Sequence, residues 1–268
     1  MNQLAGKIAV VIGAAGLDNM GQVIARRFAA EGARVMVAGR AAEPLRELAT
    51  ELGGSHAVCD IRRKADVESV ARATAAEYGR IDIAINCTGW GLMARLRDTT
   101  EEQLDQLMDL QFKGTYFFLQ VFAEQLAGSG GGSLITISSA SVYALLFNHA
   151  AYIGTKAGAD ALMRCFANEY GARKVKVNAI APGLTATPMT RRELEMPGLE
   201  AAFLKEYPLG RIGTAEDVAN AAVWLAGAES FMTGQVLQVN GGLTLRRNPL
   251  PREINASLAA AAEKNSQS

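Results

Sequence analysis

Two residues able to pass a proton between them stand four positions apart in "AAYIGTKAGADALMRCFANEYG" (150–171): Tyr152 and Lys156. Alanines, Leu162, Met163, Phe166 and Ala167 recur there at helical spacing, and Gly171 marks a C-terminal stop. The phenol and the ammonium therefore share one helix face. A core tyrosine beside a snorkelling lysine has the same spacing, and for the pair alone that packing reading is the ordinary one. A second chemical signal is "GAAGLDNMGQVIARRFAAEG" (13–32), where Gly13, Gly16 and Gly21 follow an apolar run and open a helix. Glycines at such a junction let a backbone approach a pyrophosphate, which then rests on the helix N-terminus. Tight strand-to-helix turns need glycine in any case.

These groups need a frame to hold them. The runs 7–13, 34–39, 56–60, 81–86, 133–138, 175–180 and 235–239 read as strands. Amphipathic stretches near 21–31, 43–52, 66–78, 101–127, 151–170 and 215–227 alternate with them as helices. Continuous apolar strands joined by helices predict a seven-stranded parallel sheet covered on both faces, a single doubly wound Rossmann-type α/β domain over 1–245. The insert 184–208 breaks the rhythm, as does the polar, alanine-rich tail 246–268, which is expected to be partly mobile. The first βα junction is where a dinucleotide binds in such a fold, which strengthens the glycine loop. The second strand ends at Gly39 and Arg40, with no carboxylate before Glu43. An arginine there accommodates the 2′-phosphate of NADP, so NADP(H) is favoured, with NAD(H) possible. A solvated loop arginine is the other reading. Asp60, ending the third strand, either meets the adenine or caps a helix.

Taken in order, the motifs resemble those of the short-chain dehydrogenase/reductase family from Leu4 to Thr244. They are the glycine loop, "NCTG" (86–89), "ISS" (137–139), Tyr152-x-x-x-Lys156, "NAIAPG" (178–183) and "VNGG" (239–242). The resemblance implies an oxidoreductase with Ser139, Tyr152 and Lys156 as its catalytic group. It implies that Lys156 and Tyr152 also hold the nicotinamide ribose and that Thr187, after the turn at Pro182 and Gly183, contacts the carboxamide. It further places Ile61, Asn86 and Gly89 along the cofactor. The chemistry agrees: hydride transfer at a carbinol carbon needs a proton moved on or off oxygen. A free phenol, with pKa about 10, is a poor base at neutral pH. A neighbouring ammonium is expected to stabilise phenolate, about three units corresponding to about 4 kcal/mol. Ser139 is expected to hold the substrate oxygen near Tyr152.

Two departures from the family pattern stand out. Ile12 precedes Gly13 where threonine is usual, and two extra residues widen the turn around Leu17, Asp18 and Asn19. Longer loops occur in the related enoyl reductases, whose tyrosine and lysine lie further apart than here. Gln111 occupies the place of an asparagine that holds a relay water; it is read as a fourth catalytic residue, or as a helix residue facing solvent or a neighbouring subunit.

Composition narrows the function classes. Lysine plus arginine balances aspartate plus glutamate at 27 each in 268 residues, which argues against a nucleic-acid binder. The start carries no leader pattern, and no apolar run reaches the length of a membrane span. Cys59, Cys87 and Cys165 lie far apart without metal-ligand spacing and read as thiols in a reducing compartment. A cytoplasmic protein without a bound metal is the expectation. Family resemblance alone implies a homotetramer built through helices near 101–127 and 151–170.

Trp90, Leu92, Met93, Leu145, Phe147, Leu184, Met189, Met196 and Phe203 lie in the segments that surround substrate in this family, with 184–208 as a lid. Together they predict an apolar ketone or secondary alcohol as the small-molecule partner. His149 either lines that pocket or is a satisfied structural histidine. The alternatives are a 3-oxoacyl-carrier reductase, with Arg95, Arg97, Arg191 and Arg192 meeting an acidic carrier, and a non-catalytic dinucleotide sensor. Intact Ser139, Tyr152 and Lys156 argue against the sensor.

Overall fold

Alternating side chains of the central strands feed two separate cores, one on either face of a single sheet. The computed structural model describes residues 2–266. Strands β1 (Ile8–Ile12), β2 (Arg34–Gly39), β3 (Ser55–Val58), β4 (Ile83–Asn86), β5 (Gly132–Ile137) and β6 (Val175–Pro182) lead, past a separate two-stranded ribbon, to β9 (Val236–Val239). All seven pair in parallel in the order β3-β2-β1-β4-β5-β6-β9. The ribbon pairs β7 (Thr185–Ala186) with β8 (Gly213–Thr214) and closes the neck of the 184–208 insert.

One core takes Ala9 and Val11 of β1 together with α1 (Met20–Ala30), α2 (Ala42–Leu52) and α9 (Ala215–Ala226), through Ile24, Phe28, Leu45, Leu48, Val218 and Val223. The opposite core takes Val10 and Ile12 with α3 (Lys64–Tyr78), α5 (Gly114–Gly128) and α6 (Ala150–Tyr170), through Val67, Phe118, Phe122, Met163 and Phe166. Period-two burial on a strand and period-3.6 burial on the facing helices are satisfied together. Thr100 opens α4 (Glu101–Leu107) and Thr214 opens α9, each by a reciprocal capping box, with Gln103 and Asp217.

The long helix expected over 101–127 is three pieces. Between α4 and α5, residues Met108–Lys113 adopt π-helical geometry. A π step adds one residue to a turn and rotates the helix beyond it, and such steps gather at functional sites. Here it carries Gln111 inward.

Inside the insert lie α7 (Arg191–Leu194) and α8 (Leu199–Leu204). The tail, expected to be partly mobile, instead forms α10 (Pro251–Ser266). Ile254 and Leu258, one helical turn apart, join a third small core with Leu199, Phe203, Tyr207, Ala140 and Ala144. Ser257 Oγ donates to the Gly198 carbonyl at 2.7 Å, and buried Asn248 donates to the Ala144 carbonyl. That apolar pair and these two hydrogen bonds give an otherwise polar segment something to dock with. Among the described residues no helix is long and apolar enough to cross a membrane.

Candidate active site

The residues expected around a cofactor gather at the carboxyl ends of the strands, where open α/β sheets bind ligands. Gly13 leaves β1, Arg40 follows β2, Asp60 follows β3, Gly89 follows β4, Ser139 follows β5 and Gly183 follows β6. Gly13 has φ +99°, and a Cβ there would lie 2.8 Å from the Cys87 carbonyl carbon. A Cβ on Gly21 would lie 2.5 Å from the Gly13 oxygen, so helix and loop touch backbone to backbone. Gly16 sits over Asn19, whose amide nitrogen would be 2.9 Å from such a Cβ.

The widened turn is held by its own side chains. Asn19 Nδ2 donates to the Gly13 carbonyl at 2.8 Å, and Asn19 Oδ1 caps α1 by accepting from the Gln22 N–H at 2.9 Å. Buried Gln22 reaches back, donating to the Ala14 carbonyl at 3.2 Å and accepting from the Asp18 N–H at 3.1 Å. The same loop sets Ala15 against the end of β2. A Cβ on Gly39 would fall 2.7 Å from Ala15 Cβ, so this loop fills the space an acidic side chain at 39 would need.

Arg40 is exposed at the rim. The Asp60 carboxylate is gripped by Arg62, with Nε 2.9 and 3.1 Å from its two oxygens. Arg62, with help from Arg40, keeps the Asp60 pKa below the usual carboxylate range against desolvation. Asp60 therefore does not cap α3, whose cap residue is Arg63 and lacks a side-chain bond. The Ile61 side chain, at 2% exposure, packs in the sheet core, so it is the Ile61 backbone that a cofactor could meet. Asn86 is buried and accepts from both the N–H (2.9 Å) and hydroxyl (2.7 Å) of Thr88, shaping the turn toward half-buried Gly89. Across the crevice Pro182 is buried, Gly183 lies against the Tyr207 hydroxyl, and the Thr187 N–H donates to Thr190 Oγ1 at 3.2 Å.

Tyr152 and Lys156 do share a face of α6, and Ser139, at the exit of β5, acts on the Tyr152 phenol while its hydroxyl pairs with Ser141 Oγ at 2.8 Å. Lys156 is 6% exposed; its Nζ donates to the Ile137 carbonyl at 2.7 Å and lies 5.9 Å from the Tyr152 ring centroid. The expected lowering of the phenol pKa is not what this geometry gives. Burial raises it, the nearby Ser139 hydroxyl opposes that, and Asp160 adds a further rise. Burial also brings the Lys156 ammonium down to about 8, against the pull of Asp160 and Cys87. Spacing revealed the pair but not how dry its surroundings are.

Gln111 faces neither solvent nor an outer surface: it is 1% exposed. Its Nε2 donates to Thr155 Oγ1 at 2.9 Å, and its Oε1 is buried without a hydrogen-bond partner. A Cβ on Gly89 would meet that Oε1 at 3.6 Å and Lys156 Nζ at 3.7 Å, so one open spot borders amide, ammonium and backbone. An orphaned acceptor beside an ammonium suits a water or a ribose hydroxyl. With the backbone-lined glycine turn, this arrangement fits a nicotinamide dinucleotide.

Met93, Leu145, Phe147 and Met189 are exposed, Trp90 and Leu184 are half-buried, and Met189 Sδ borders Gly91. Leu92 and Phe203 are buried packing residues, not free pocket walls. His149 stands edge-on to Tyr152 at 6.3 Å between ring centroids, its Nδ1 2.7 Å from the Phe147 carbonyl, so one ring nitrogen is satisfied structurally. Sequence reading overlooked Thr155, which anchors Gln111, and Asp160, which stands one turn beyond Lys156. The i, i+4 step that joined Tyr152 to Lys156, taken once more, reaches Asp160.

Comparison with known proteins places these features in company. A family model described as enoyl-(acyl carrier protein) reductase matches residues 13–244. The chain is 32% identical over 250 residues to a D-threitol dehydrogenase of Mycolicibacterium smegmatis, covering 91% of this chain and 95% of that protein. It is also 32% identical over 251 residues to the 3-oxoacyl-[acyl-carrier-protein] reductase FabG of Thermotoga maritima, covering 91% of this chain and all of that one. A solved short-chain type dehydrogenase/reductase from Mycobacterium ulcerans superposes with a TM-score of 0.88 at 32% identity, covering 96% of this chain and 98% of that one.

Proposed function

Because the chain belongs to the short-chain dehydrogenase/reductase family, and is thereby an NAD(P)-dependent oxidoreductase of alcohols and ketones, we propose that it interconverts an apolar ketone and its secondary alcohol with NADP(H), using Tyr152 as acid and base. The observation that carries this reading is Tyr152 and the buried Lys156 ammonium on one face of α6, with Lys156 anchored to the Ile137 carbonyl two residues before Ser139. A bound nicotinamide supplies or accepts the hydride. The chain does the rest: Ser139 orients the substrate oxygen, Tyr152 moves a proton at its Oη, and Lys156 supports the charge. The turn from Gly13 to Gly21 would hold the pyrophosphate, and Lys156 with Thr187 the nicotinamide end. The exposed side chains of Met93, Leu145, Phe147 and Met189 favour an apolar substrate over a polyol such as the one named for the threitol relative.

The test is oxidation of NADPH and NADH across aliphatic, cyclic, steroid and acyl ketones, with polyols assayed in the reverse direction. Cyclic or aryl ketones turned over with NADPH are the expected result; turnover confined to polyols overturns the substrate class. Activity confined to acyl thioesters would favour the carrier-bound reading, for which Arg95, Arg97, Arg191 and Arg192 are exposed.

Arg40 is proposed to select the 2′-phosphate. Arg40→Ala should lower kcat/KM for NADPH about 10–100-fold, the size of a lost charge-assisted bond, and leave NADH nearly unchanged. A parent enzyme that already prefers NADH contradicts the proposal. Placing Asp at 39 is a poor route to NADH, because Ala15 occupies its space.

Gln111 is proposed to hold a relay water through its unpartnered Oε1. Gln111→Ala should lower kcat about tenfold with KM little changed, and Gln111→Asn should remain near the parent. Parent-like kcat for the alanine variant at every pH removes Gln111 from the mechanism.

A further inference from the structure

Asp160 is a carboxylate at 2% exposure in the body of α6, one turn past Lys156. Its direct partners are two hydroxyls: Ser138 Oγ donates to Oδ2 at 2.8 Å and the Tyr143 hydroxyl at 3.5 Å. A carboxylate buried this way adds little stability over a well-packed apolar residue. Its position relative to the site is more informative.

Ser138 is the middle of three consecutive residues that leave β5. The carbonyl of Ile137 takes the Lys156 ammonium at 2.7 Å. The Ser138 N–H donates to the Ile180 carbonyl at 2.7 Å while its side chain turns to Asp160. Ser139 follows, its hydroxyl paired with Ser141 Oγ at 2.8 Å beside Tyr152. Asp160 thus ties α6 to the strand exit at the one residue lying between the lysine's acceptor and the substrate-orienting serine.

We propose that Asp160 is a positioning residue: it clamps the β5 exit against α6 through Ser138, and from one turn past Lys156 on the same helix it sets a negative charge behind the Tyr152–Lys156 pair. This rests on Tyr152 being the acid/base group. The charged and titratable groups around it are Tyr152, Lys156 and Arg164 from α6 itself and Tyr143 from the segment after β5, with Cys87 facing Lys156 from the end of β4. Burial pushes the Asp160 carboxyl up, and Ser138, Lys156, Arg164 and Tyr143 oppose that. Its charge acts upward on both Tyr152 and Lys156. Removing the charge therefore lets the phenol ionise at lower pH.

The experiment uses the whole chain as Asp160→Asn, Asp160→Ala and Ser138→Ala. Ultraviolet difference titration, with Tyr152→Phe as reference, isolates the Tyr152 phenol from Tyr143 and the other tyrosines without needing turnover. Asp160→Asn keeps an oxygen acceptor for Ser138 but no charge. Its phenol should ionise about 0.5–1 pH unit lower than the parent's, and the rising limb of cyclohexanol oxidation with NADP+ should move the same way. Asp160→Ala and Ser138→Ala should lose about tenfold in plateau kcat with KM within about twofold, and Asp160→Asn should recover most of it. A purely structural role would alter unfolding alone and leave the titration in place. A coincident Tyr152 titration in a folded Asp160→Asn variant overturns the charge role. Parent-like kcat in Ser138→Ala overturns the clamp, even where Asp160→Ala does not fold. A parent inactive on every alcohol and ketone would count against Tyr152 as acid/base, while the titration still decides what Asp160 does.

Discussion

Tyr152→Phe is expected to bind NADPH as the parent does and to turn over about 1,000-fold more slowly. The substitution removes one hydroxyl and keeps the ring, so the edge-on contact with His149 survives at 6.3 Å. What it deletes is the phenol hydroxyl beside Ser139 and Lys156. Fluorescence titration with NADPH and steady-state kinetics on a substrate verified with the parent separate binding from chemistry. Normal turnover by the phenylalanine variant would falsify the assignment.

Lys156→Met is expected to abolish most activity and yet make the protein more stable at neutral pH. Burial lowers the Lys156 pKa to about 8 in the folded chain, whereas an unfolded lysine titrates at about 10.4. Below pH 8 both states carry the proton and the folded state bears the full cost of the buried charge. Between about pH 8 and 10.4 the unfolded chain binds more protons, so stability of the parent rises with pH and the cost is relieved. The full shift corresponds to about 3 kcal/mol, and the lost bond to Ile137 reduces the gain from methionine to about 1–2 kcal/mol. Denaturant unfolding at pH 7 and pH 10 should show the variant ahead at the lower pH and the gap closing at the higher. Activity should fall at least about 100-fold, because the phenolate loses its nearby cation. A methionine variant less stable than the parent at pH 7 would show that the desolvation argument is wrong.

The sheet was readable because each of its seven strands is a short apolar run between amphipathic helices, a rhythm with few folded solutions. The limits Arg34–Gly39 agree residue for residue with the sequence reading, and the other strands differ by one or two residues at one or both ends. The π step at 108–113 was not readable, since one extra residue in a turn leaves the apolar periodicity of 101–127 nearly unchanged. The tail was misjudged because alanines and charges dominate it, and two apolar residues, Ile254 and Leu258, decide its docking. At the site, residue types and spacing picked out Ser139, Tyr152 and Lys156. Spacing says nothing about desolvation, however, so the direction of the phenol shift came out reversed. For Ile61 the spacing left the side chain's direction open: a residue beside a strand end points either to the crevice or to the core, and here the core claims the side chain.

The small ribbon of Thr185–Ala186 with Gly213–Thr214 has an evolutionary consequence. It pins the two ends of the intervening excursion beside the crevice, so the chain between them can lengthen, shorten or be exchanged without disturbing the strands that carry Ser139 and Gly183. Closing a flexible excursion of twice the length costs only about 0.6 kcal/mol more. The expected acid/base groups and the excursion expected to touch substrate are thereby carried on separate parts of the chain. One scaffold can diversify in what it accepts while its proton chemistry stays fixed.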